Sequence, residues 1–266
     1  MNKMLVAVFG TETAAYEGLS ALKDLHTHGD ITLYGTAVIM KDSSGAISVK
    51  QTADKGPVGT ALGMLTGGLA GLLAGPLGVA VGFAAGGAAG LVFDLAQLGI
   101  DTDFLDEVSK ALSPGKTAVL AEVQETWTTP VDTRLGTLGG LVFRRLRSEV
   151  VEDQLARESA AFASEMKQLR EELAHSTAET KAAVQREVAA AKAKLEAMQT
   201  QARAKSEESK HEMEAKIAAL RDQMNQAGDR EKAKIEKRVA AVKAEYSVRS
   251  AKLEQAGKLI KEALAR

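Results

Sequence analysis

Nine glycines spaced at every fourth position in a charge-free stretch constrain this 266-residue chain most strongly. No Asp, Glu, Lys or Arg occurs from Gly56 to Phe93. Residues four apart lie on one face of a helix, so the pattern predicts two helices, each with a ridge that carries no side chains. One register comprises Gly59, Gly63, Gly67, Gly71 and Gly75, the second comprises Gly78, Gly82, Gly86 and Gly90, and a hinge is predicted at Pro76.

Such a helical hairpin is not expected to persist alone in water, because each glycine costs a helix about 1 kcal/mol relative to alanine. The two arms, residues 58–74 and 77–98, would be about 26 Å and about 33 Å long as helices. These lengths are close to the hydrocarbon core of a bilayer, roughly 30 Å. We therefore predict that residues 56–100 form a glycine-zipper hairpin, either inserted in a membrane or buried at the centre of an oligomer.

The residues on either side of this block predict a small α+β domain, split into residues 1–55 and 101–148. Apolar runs predict strands at 4–9, 31–40, 46–51, 116–126 and 141–143, and periodic apolar positions predict helices at 11–25, 101–112 and 131–138. Thr11 or Thr13 is expected to cap the first helix, and Gly29 is expected to end it. Without the insert the order is β-α-β-β-α-β, the ferredoxin-like pattern, followed by a short helix and one more strand.

Residues 149–266 have the composition of a long helix, rich in Ala, Glu, Lys, Gln and Arg and free of proline. Their apolar residues recur every eleven positions, about 3.67 per turn, which predicts a nearly straight coiled coil rather than a heptad supercoil. The predicted seam comprises Phe162, Leu169, Leu173, Val184, Leu195, Met213, Ile217, Met224, Ile235, Val239, Val242, Tyr246 and Leu253. A stripe this narrow implies that the helix packs against partners.

The glycine hairpin inside a small α/β domain is followed by a short pattern of aromatic, proline and glycine residues. The matching residues are Gly59 through Gly90, then Trp127, Pro130, Gly139, Gly140, Val142 and Arg144. This order resembles the bacterial domain-of-unknown-function family numbered twelve sixty-nine, whose members are usually described as predicted membrane proteins. The resemblance covers about residues 3–147 and not the long helix. It implies membrane association and offers no catalytic residues.

Several function classes are excluded or disfavoured by composition and motifs. The chain has no cysteine, which excludes disulfides, zinc–thiolate sites and thiol catalysis. It has no phosphate loop, Rossmann fingerprint or serine elbow, so we predict that it is not an enzyme and that it needs no cofactor. With a net charge of −1 and few aromatic residues in its second half, the chain is not expected to bind nucleic acid.

A histidine pair near the end of the first helix allows two interpretations. His26 and His28, with Asp24 and Asp30 nearby, could suggest a metal site. Two histidines two apart on a helix point in different directions, however, and histidine is favourable at a helix C-terminus. We therefore predict no metal site.

A basic cluster joins the α+β domain to the long helix. Arg144, Arg145 and Arg147 could contact anionic lipid near a membrane surface. They could equally alternate along an edge strand and discourage unwanted strand pairing. The sequence does not separate these two interpretations.

Together these features predict a non-enzymatic, self-assembling structural protein that forms a high-order homo-oligomer and associates with a membrane through the hairpin. Two alternatives stay open: an oligomeric membrane pore or permeability factor, and a small-molecule sensor domain, the latter by fold analogy. The chain starts without a secretory signal, so we expect a cytoplasmic start, with the protein at or in the cytoplasmic membrane or forming a soluble cytoplasmic particle. The predicted partners are further copies of the chain and membrane lipid.

Overall fold

The computed structural model describes residues 2–54, 102–146 and 150–265, so the glycine block lies outside the described residues. The chain forms two compact units. The first, here called the sheet unit, comprises Met1–Ser148 and Glu214–Val242. The second, the helical unit, comprises Glu149–Met213 and Lys243–Arg266. One boundary between the units therefore falls after Ser148, and Glu214–Val242 of the C-terminal region belongs to the sheet unit.

The sheet unit is built on one five-stranded antiparallel sheet with the order β3-β2-β4-β1-β5. Its elements are β1 (Asn2–Phe9), α1 (Glu12–Thr27), β2 (Ile31–Lys41), β3 (Ile47–Asp54), α2 (Thr102–Ala111), β4 (Thr117–Glu125), α3 (Thr129–Thr137) and β5 (Leu141–Leu146). The mixed helix and strand composition is confirmed. The specific ferredoxin-like topology stays a prediction.

The two faces of the sheet have separate apolar cores, because successive side chains of a strand point to opposite faces. The face covered by α1 and α3 buries Leu5, Ala7 and Phe9 of β1 together with Leu19, Leu22, Leu25, Val131 and Leu135. The face covered by α2 buries Met4, Val6 and Val8 together with Phe104, Val108 and Leu112. All nine residues of β4 are buried. Coverage on both sides explains why the central strands have nearly uninterrupted apolar sequences.

Helix α1 begins and ends where the sequence predicts. The side chain of Thr11 accepts a hydrogen bond of 3.1 Å from the Ala14 N–H, which satisfies one backbone donor of the first turn. After the helix, Gly29 has a φ of +70°, in the left-handed region that glycine adopts without strain. These two residues set the start of α1 and the entry of the chain into β2.

The C-terminal region is helical, as predicted, but it consists of three helices rather than one continuous helix. They are α4 (Val150–His175), α5 (Lys181–Gln226) and α6 (Asp229–Ala265). At the first break, the Thr177 N–H donates to Thr180 Oγ1 at 3.2 Å, a local hydrogen bond that competes with the helix ladder. The second break is only Ala227 and Gly228 long.

Buried positions of α5 and α6 form rows with seven-residue spacing, and the predicted period of eleven stays a prediction. One row in α5 comprises Leu195, Ala202, Ser209, Lys216 and Gln223, and one row in α6 comprises Ile235, Val242, Arg249 and Ala256. Polar side chains occupy several of these buried positions.

The thirteen predicted seam residues nevertheless lie on the less exposed sides of their helices. Leu169, Val184, Leu195, Ile217, Ile235, Val242 and Leu253 are buried, and Phe162, Leu173, Met213, Met224, Val239 and Tyr246 are partly buried. This burial is intramolecular. In the helical unit, Leu169, Leu195 and Leu253 share one core cluster with residues of α4, α5 and α6.

Arg249 is the central polar side chain of the helical unit. Its Nε donates to Glu152 Oε1 at 2.8 Å, and its Nη1 donates to Glu212 Oε2 at 3.1 Å. Burial acts to lower the pKa of Arg249, but the two carboxylates outweigh burial and hold that pKa above its ordinary value. One guanidinium therefore joins α4, α5 and α6.

Replacing Arg249 with methionine is expected to lower the free energy of unfolding by about 3–5 kcal/mol, because it leaves two buried carboxylates without their cation. Urea unfolding followed by circular dichroism measures the change. The matched control is Arg203→Met, at an exposed position of α5, with an expected change within about 0.5 kcal/mol. Equal effects of the two substitutions would contradict a structural role for the Arg249 contacts.

Candidate anion-binding cleft

Three polar side chains of the C-terminal helices are buried within the sheet unit. They are Lys216 and Gln223 of α5 and Arg238 of α6, and none is more than 5% exposed. Their burial removes donor groups from water, which costs free energy unless protein acceptors replace the water. The acceptors they find lie around the start of β2 and the end of β4, which are neighbouring ends of paired strands.

Gln223 uses both ends of its amide to bind the start of β2. Its Nε2 donates to the carbonyl of Ile31 at 2.8 Å, and its Oε1 accepts from the hydroxyl of Thr32 at 2.7 Å. The same Nε2 also donates to the carbonyl of His26, at 2.5 Å. These neutral hydrogen bonds fix α5 against the connection between α1 and β2.

Lys216 is buried with a carboxylate partner. Its Nζ lies 3.1 Å from Glu122 Oε1, and Glu122 is fully buried on β4. The same carboxylate oxygen accepts a hydrogen bond from the Asn2 side chain. The charge of Lys216 is therefore compensated inside the protein.

Arg238 differs because its partners are neutral oxygens. Its Nη2 donates to the carbonyls of Gly29 at 2.8 Å and Asp30 at 2.6 Å, and its Nη1 donates to Thr32 Oγ1 at 3.1 Å. Carbonyls that follow the C-terminus of α1 carry partial negative charge, which favours a cation here. Among the described residues, no carboxylate lies within ion-pair distance of this guanidinium, and its buried Nε has no hydrogen-bond partner.

The electrostatic consequence is a buried positive charge that the described part of the protein does not neutralise. Burial lowers the pKa of Arg238 below its ordinary value, and the neighbouring Tyr34 and Asp30 act in the opposite direction. An arginine stays protonated in proteins, so the charge persists at neutral pH. The Asp30 carboxylate is already engaged by Lys234 Nζ, at 3.1 Å.

Arg238 lines a cleft of about 490 Å³ within the sheet unit. The other lining residues are Asp30, Gln124, Thr126, Trp127, Pro130, Lys234, Lys237 and Ala241. One wall comes from the connection before β2, the end of β4, the connection that follows β4 and the start of α3, and the other comes from α6. The volume is in the range of small-molecule sites, which are typically about 300–1,000 Å³.

The cleft carries an excess of positive charge. Lys234 and Asp30 cancel as an ion pair, whereas Lys237 is exposed and has no ion-pair partner within the described ranges. Lys237 and Arg238 therefore leave two uncompensated cations beside Trp127, whose side chain is 74% exposed. This combination of cations and an open aromatic face favours an anionic ligand.

The predicted arginine cluster does not form one surface patch. Arg144 lies on β5 and is largely buried, with its Nε 2.7 Å from Glu125 Oε1 and its Nη1 2.6 Å from Asp132 Oδ1. The next residue, Arg145, lies over the ring of Phe104 on the other face of the sheet, 5.5 Å from its centroid. Arg144 and Arg145 therefore lie on opposite faces of the sheet, and contact of the cluster with lipid stays a prediction. Arg147 lies outside the described residues.

The two histidines of α1 contact backbone groups. His28 Nδ1 lies 2.7 Å from the Asp24 carbonyl, and His26 Nδ1 accepts from the Leu33 N–H at 3.2 Å. Among residues 2–54, 102–146 and 150–265, no group of three or more His, Asp or Glu side chains could hold a metal ion.

The predicted hairpin-packing residues, Gly59 through Gly90 with Pro76, lie outside the described residues, so their packing stays a prediction. Within the part of the chain that the structure describes, no helix has the length and apolar character needed to span a membrane.

Sequence reasoning missed the cleft, although two of its residues belong to the motif behind the family resemblance. Trp127 and Pro130 are in that motif, whereas Lys237 and Arg238 read as solvated charges of a long helix. One usable signal was the seven-residue row that carries Lys216 and Gln223 on a buried side of α5. No comparable row marks Arg238.

Residues 60–175 match the model of a family described as "Protein of unknown function (DUF1269)". This match supports the resemblance seen in the sequence and extends it into α4. It includes Trp127 and Pro130 but not Asp30, Lys237 or Arg238, so only part of one wall of the cleft falls in the matched region. Comparisons with curated proteins and with solved structures find no match.

Trp127 is the only tryptophan of the chain, so its fluorescence reports on the cleft alone. We expect iodide to quench this emission more efficiently than caesium at low ionic strength, with neutral acrylamide as the reference, because nearby cations concentrate anions. Lys237→Glu should lower the iodide quenching constant and leave the acrylamide constant unchanged. Lys243→Glu, an exposed lysine that does not line the cleft, is the matched control. Equal iodide quenching in both variants would contradict a positive cleft.

Proposed function

We propose that this protein is a non-enzymatic binding protein that takes a small anionic molecule in the cleft between β4 and α6. The observation that carries the proposal is Arg238, a buried guanidinium whose partners in the described part are all neutral oxygens. A bound anion would supply the missing negative charge, and hydrogen bonds between ionised groups are roughly twice as strong as neutral ones. The proposal corresponds to the small-molecule sensor that the sequence leaves as an alternative.

The arrangement of the strands is consistent with a binding domain of ferredoxin-like type, which we propose as the topology. Strands β1 and β2 are both antiparallel to β4, which lies between them, and α1 connects them. Strands β4 and β5 are likewise both antiparallel to β1, and α3 connects them. The order β2-β4-β1-β5 is that of a split βαβ fold, with β3 and α2 as additions, whereas the sequence pattern takes α3 and β5 as the additions. Fold analogy alone does not establish a function, so the proposal rests on the cleft.

Pyrophosphate is a suitable probe for the proposed site because it is small and strongly anionic. Isothermal titration calorimetry is expected to show binding to the full chain, and Lys237→Gln is expected to raise the dissociation constant about tenfold. The reason is the loss of one charge-assisted contact, worth about 1.5–3 kcal/mol. Because Lys237 is exposed, the variant should keep its stability.

The control for this experiment is Lys243→Gln, which removes the same charge elsewhere on α6. It is expected to leave the dissociation constant unchanged. The proposal fails if pyrophosphate does not bind at concentrations on the order of 1 mM, the weak limit of a specific site. It also fails if the two lysine variants bind equally well.

Self-assembly is a second candidate function, and the edges of the sheet favour it. In the described residues, β5 pairs only with β1 and β3 pairs only with β2, so each has an unpaired edge. Leu141 and Leu146 of β5 are 56% and 51% exposed. An edge strand with exposed apolar side chains is a template for pairing with another chain. The glycine hairpin, the membrane association and the cytoplasmic location stay predictions.

If β5 mediates assembly, the combined substitution Leu141→Lys and Leu146→Lys should lower the particle mass, because lysines on an edge oppose strand pairing. Light scattering after size-exclusion chromatography measures that mass. The control is Val248→Lys, an exposed apolar position in the helical unit, 49% exposed. A monomeric wild-type chain, or an unchanged mass in the β5 variant, would reject assembly through this edge.

A further inference from the structure

The indole of Trp127, which lines the cleft, is far more exposed than an aromatic side chain that packs in a core. Trp127 is 74% exposed and lies in the short connection between β4 and α3. Pro130, at the start of α3, lines the same cleft and stiffens this connection. A fixed, open indole offers a flat surface on which a planar ring can stack.

The polar groups of the cleft are mostly hydrogen-bond donors. The Oε1 of Gln124 accepts from the Tyr34 hydroxyl, which orients the amide, so its NH₂ group remains as a donor. Lys237 and Arg238 add cationic donors on the opposite wall. The carboxylate of Asp30 is an acceptor, but Lys234 already binds it. A ligand that matches this set must be rich in acceptors as well as negatively charged.

The volume of the cleft favours a ligand larger than a simple inorganic anion. A cleft of about 490 Å³ has room for much more than one phosphate group. Its two walls also differ in chemistry, since Trp127 lies on the wall from β4 and α3, whereas the two uncompensated cations lie on α6. A ligand that fills the cleft therefore has an aromatic end and an anionic end.

We propose that the ligand is a planar aromatic anion, a ring system carrying a phosphate or carboxylate group. The ring stacks on the indole of Trp127, and the anionic group binds between Lys237 and Arg238. This inference rests on the proposed binding function and specifies its ligand class. A nucleoside monophosphate has both features and serves as the probe.

The test compares probes that carry both features with probes that carry only one. AMP, adenosine and ribose 5-phosphate are titrated into the full chain, and the emission of Trp127, the only tryptophan, is followed. AMP is expected to quench the emission and to saturate. Adenosine lacks the anion and ribose 5-phosphate lacks the ring, so each is expected to bind at least about tenfold more weakly. A benzoate titration tests whether a carboxylate can replace the phosphate, and saturable quenching by benzoate would assign both anions to the site.

Substitutions at Trp127 separate stacking from a merely structural role. Equilibrium dialysis with radiolabelled AMP is used, because these variants lack the fluorescent probe. Trp127→Ala should weaken AMP binding at least about fivefold and leave ribose 5-phosphate unaffected, while Trp127→Phe should restore most of the AMP affinity. Tyr16→Ala removes another exposed aromatic side chain, 37% exposed, outside the cleft and should have no effect.

The results distinguish this inference from the function on which it rests. If pyrophosphate binds but AMP binds no more tightly than ribose 5-phosphate, the site takes anions without stacking, and the aromatic ligand is wrong. The same conclusion follows if Trp127→Ala binds AMP as the wild type does. If pyrophosphate does not bind, the binding function fails, and the ligand class that rests on it fails with it.

Discussion

The guanidinium of Arg238, held by the carbonyls of Gly29 and Asp30, is the contact on which the cleft depends. It lies on the first turns of α6 and reaches the chain between α1 and β2, so it fixes one wall of the cleft against the other. Lys234 lies one helical turn earlier, and its side chain reaches the Asp30 carboxylate beside the same connection. Hydrogen bonds from Arg238 thus stabilise the docking of α6 while its charge stays uncompensated within the described residues.

Lys216 and Arg249 are also buried cations, and unlike Arg238 they contact carboxylates. Lys216 contacts the carboxylate of Glu122, and Arg249 contacts those of Glu152 and Glu212. Breaking pairs of this kind is strongly destabilising, because it leaves a charge without compensation in a medium of low polarity. Arg238 already is such a charge. Structural requirements alone do not select an arginine at this position, since a neutral donor such as Gln223 binds neighbouring carbonyls without any charge.

Local features of the fold follow directly from the sequence, whereas the cleft depends on contacts between distant residues. The strands, and α1 with its Thr11 cap and Gly29 end, could be predicted because turn chemistry and apolar periodicity act over a few residues. The division of the C-terminal helix was harder to see, because Ala227 and Gly228 break a sequence that is otherwise strongly helix-forming. Arg238 looks like any solvated arginine until Thr32 of β2, 206 positions earlier, is placed beside it. Arg238 is buried by partners so far away in the sequence that no local periodicity marks its position.

The helices α5 and α6 each belong partly to the sheet unit and partly to the helical unit, so the chain passes between the units three times. Cutting the chain at a single position therefore does not release either unit intact. Shortening the chain after Ser148 would take Lys216 and Arg238 away from the sheet, leaving the Glu122 carboxylate without its cation and the carbonyls after α1 without their donors. The sheet unit thus extends well beyond the last strand, into residues whose composition is that of a long helix.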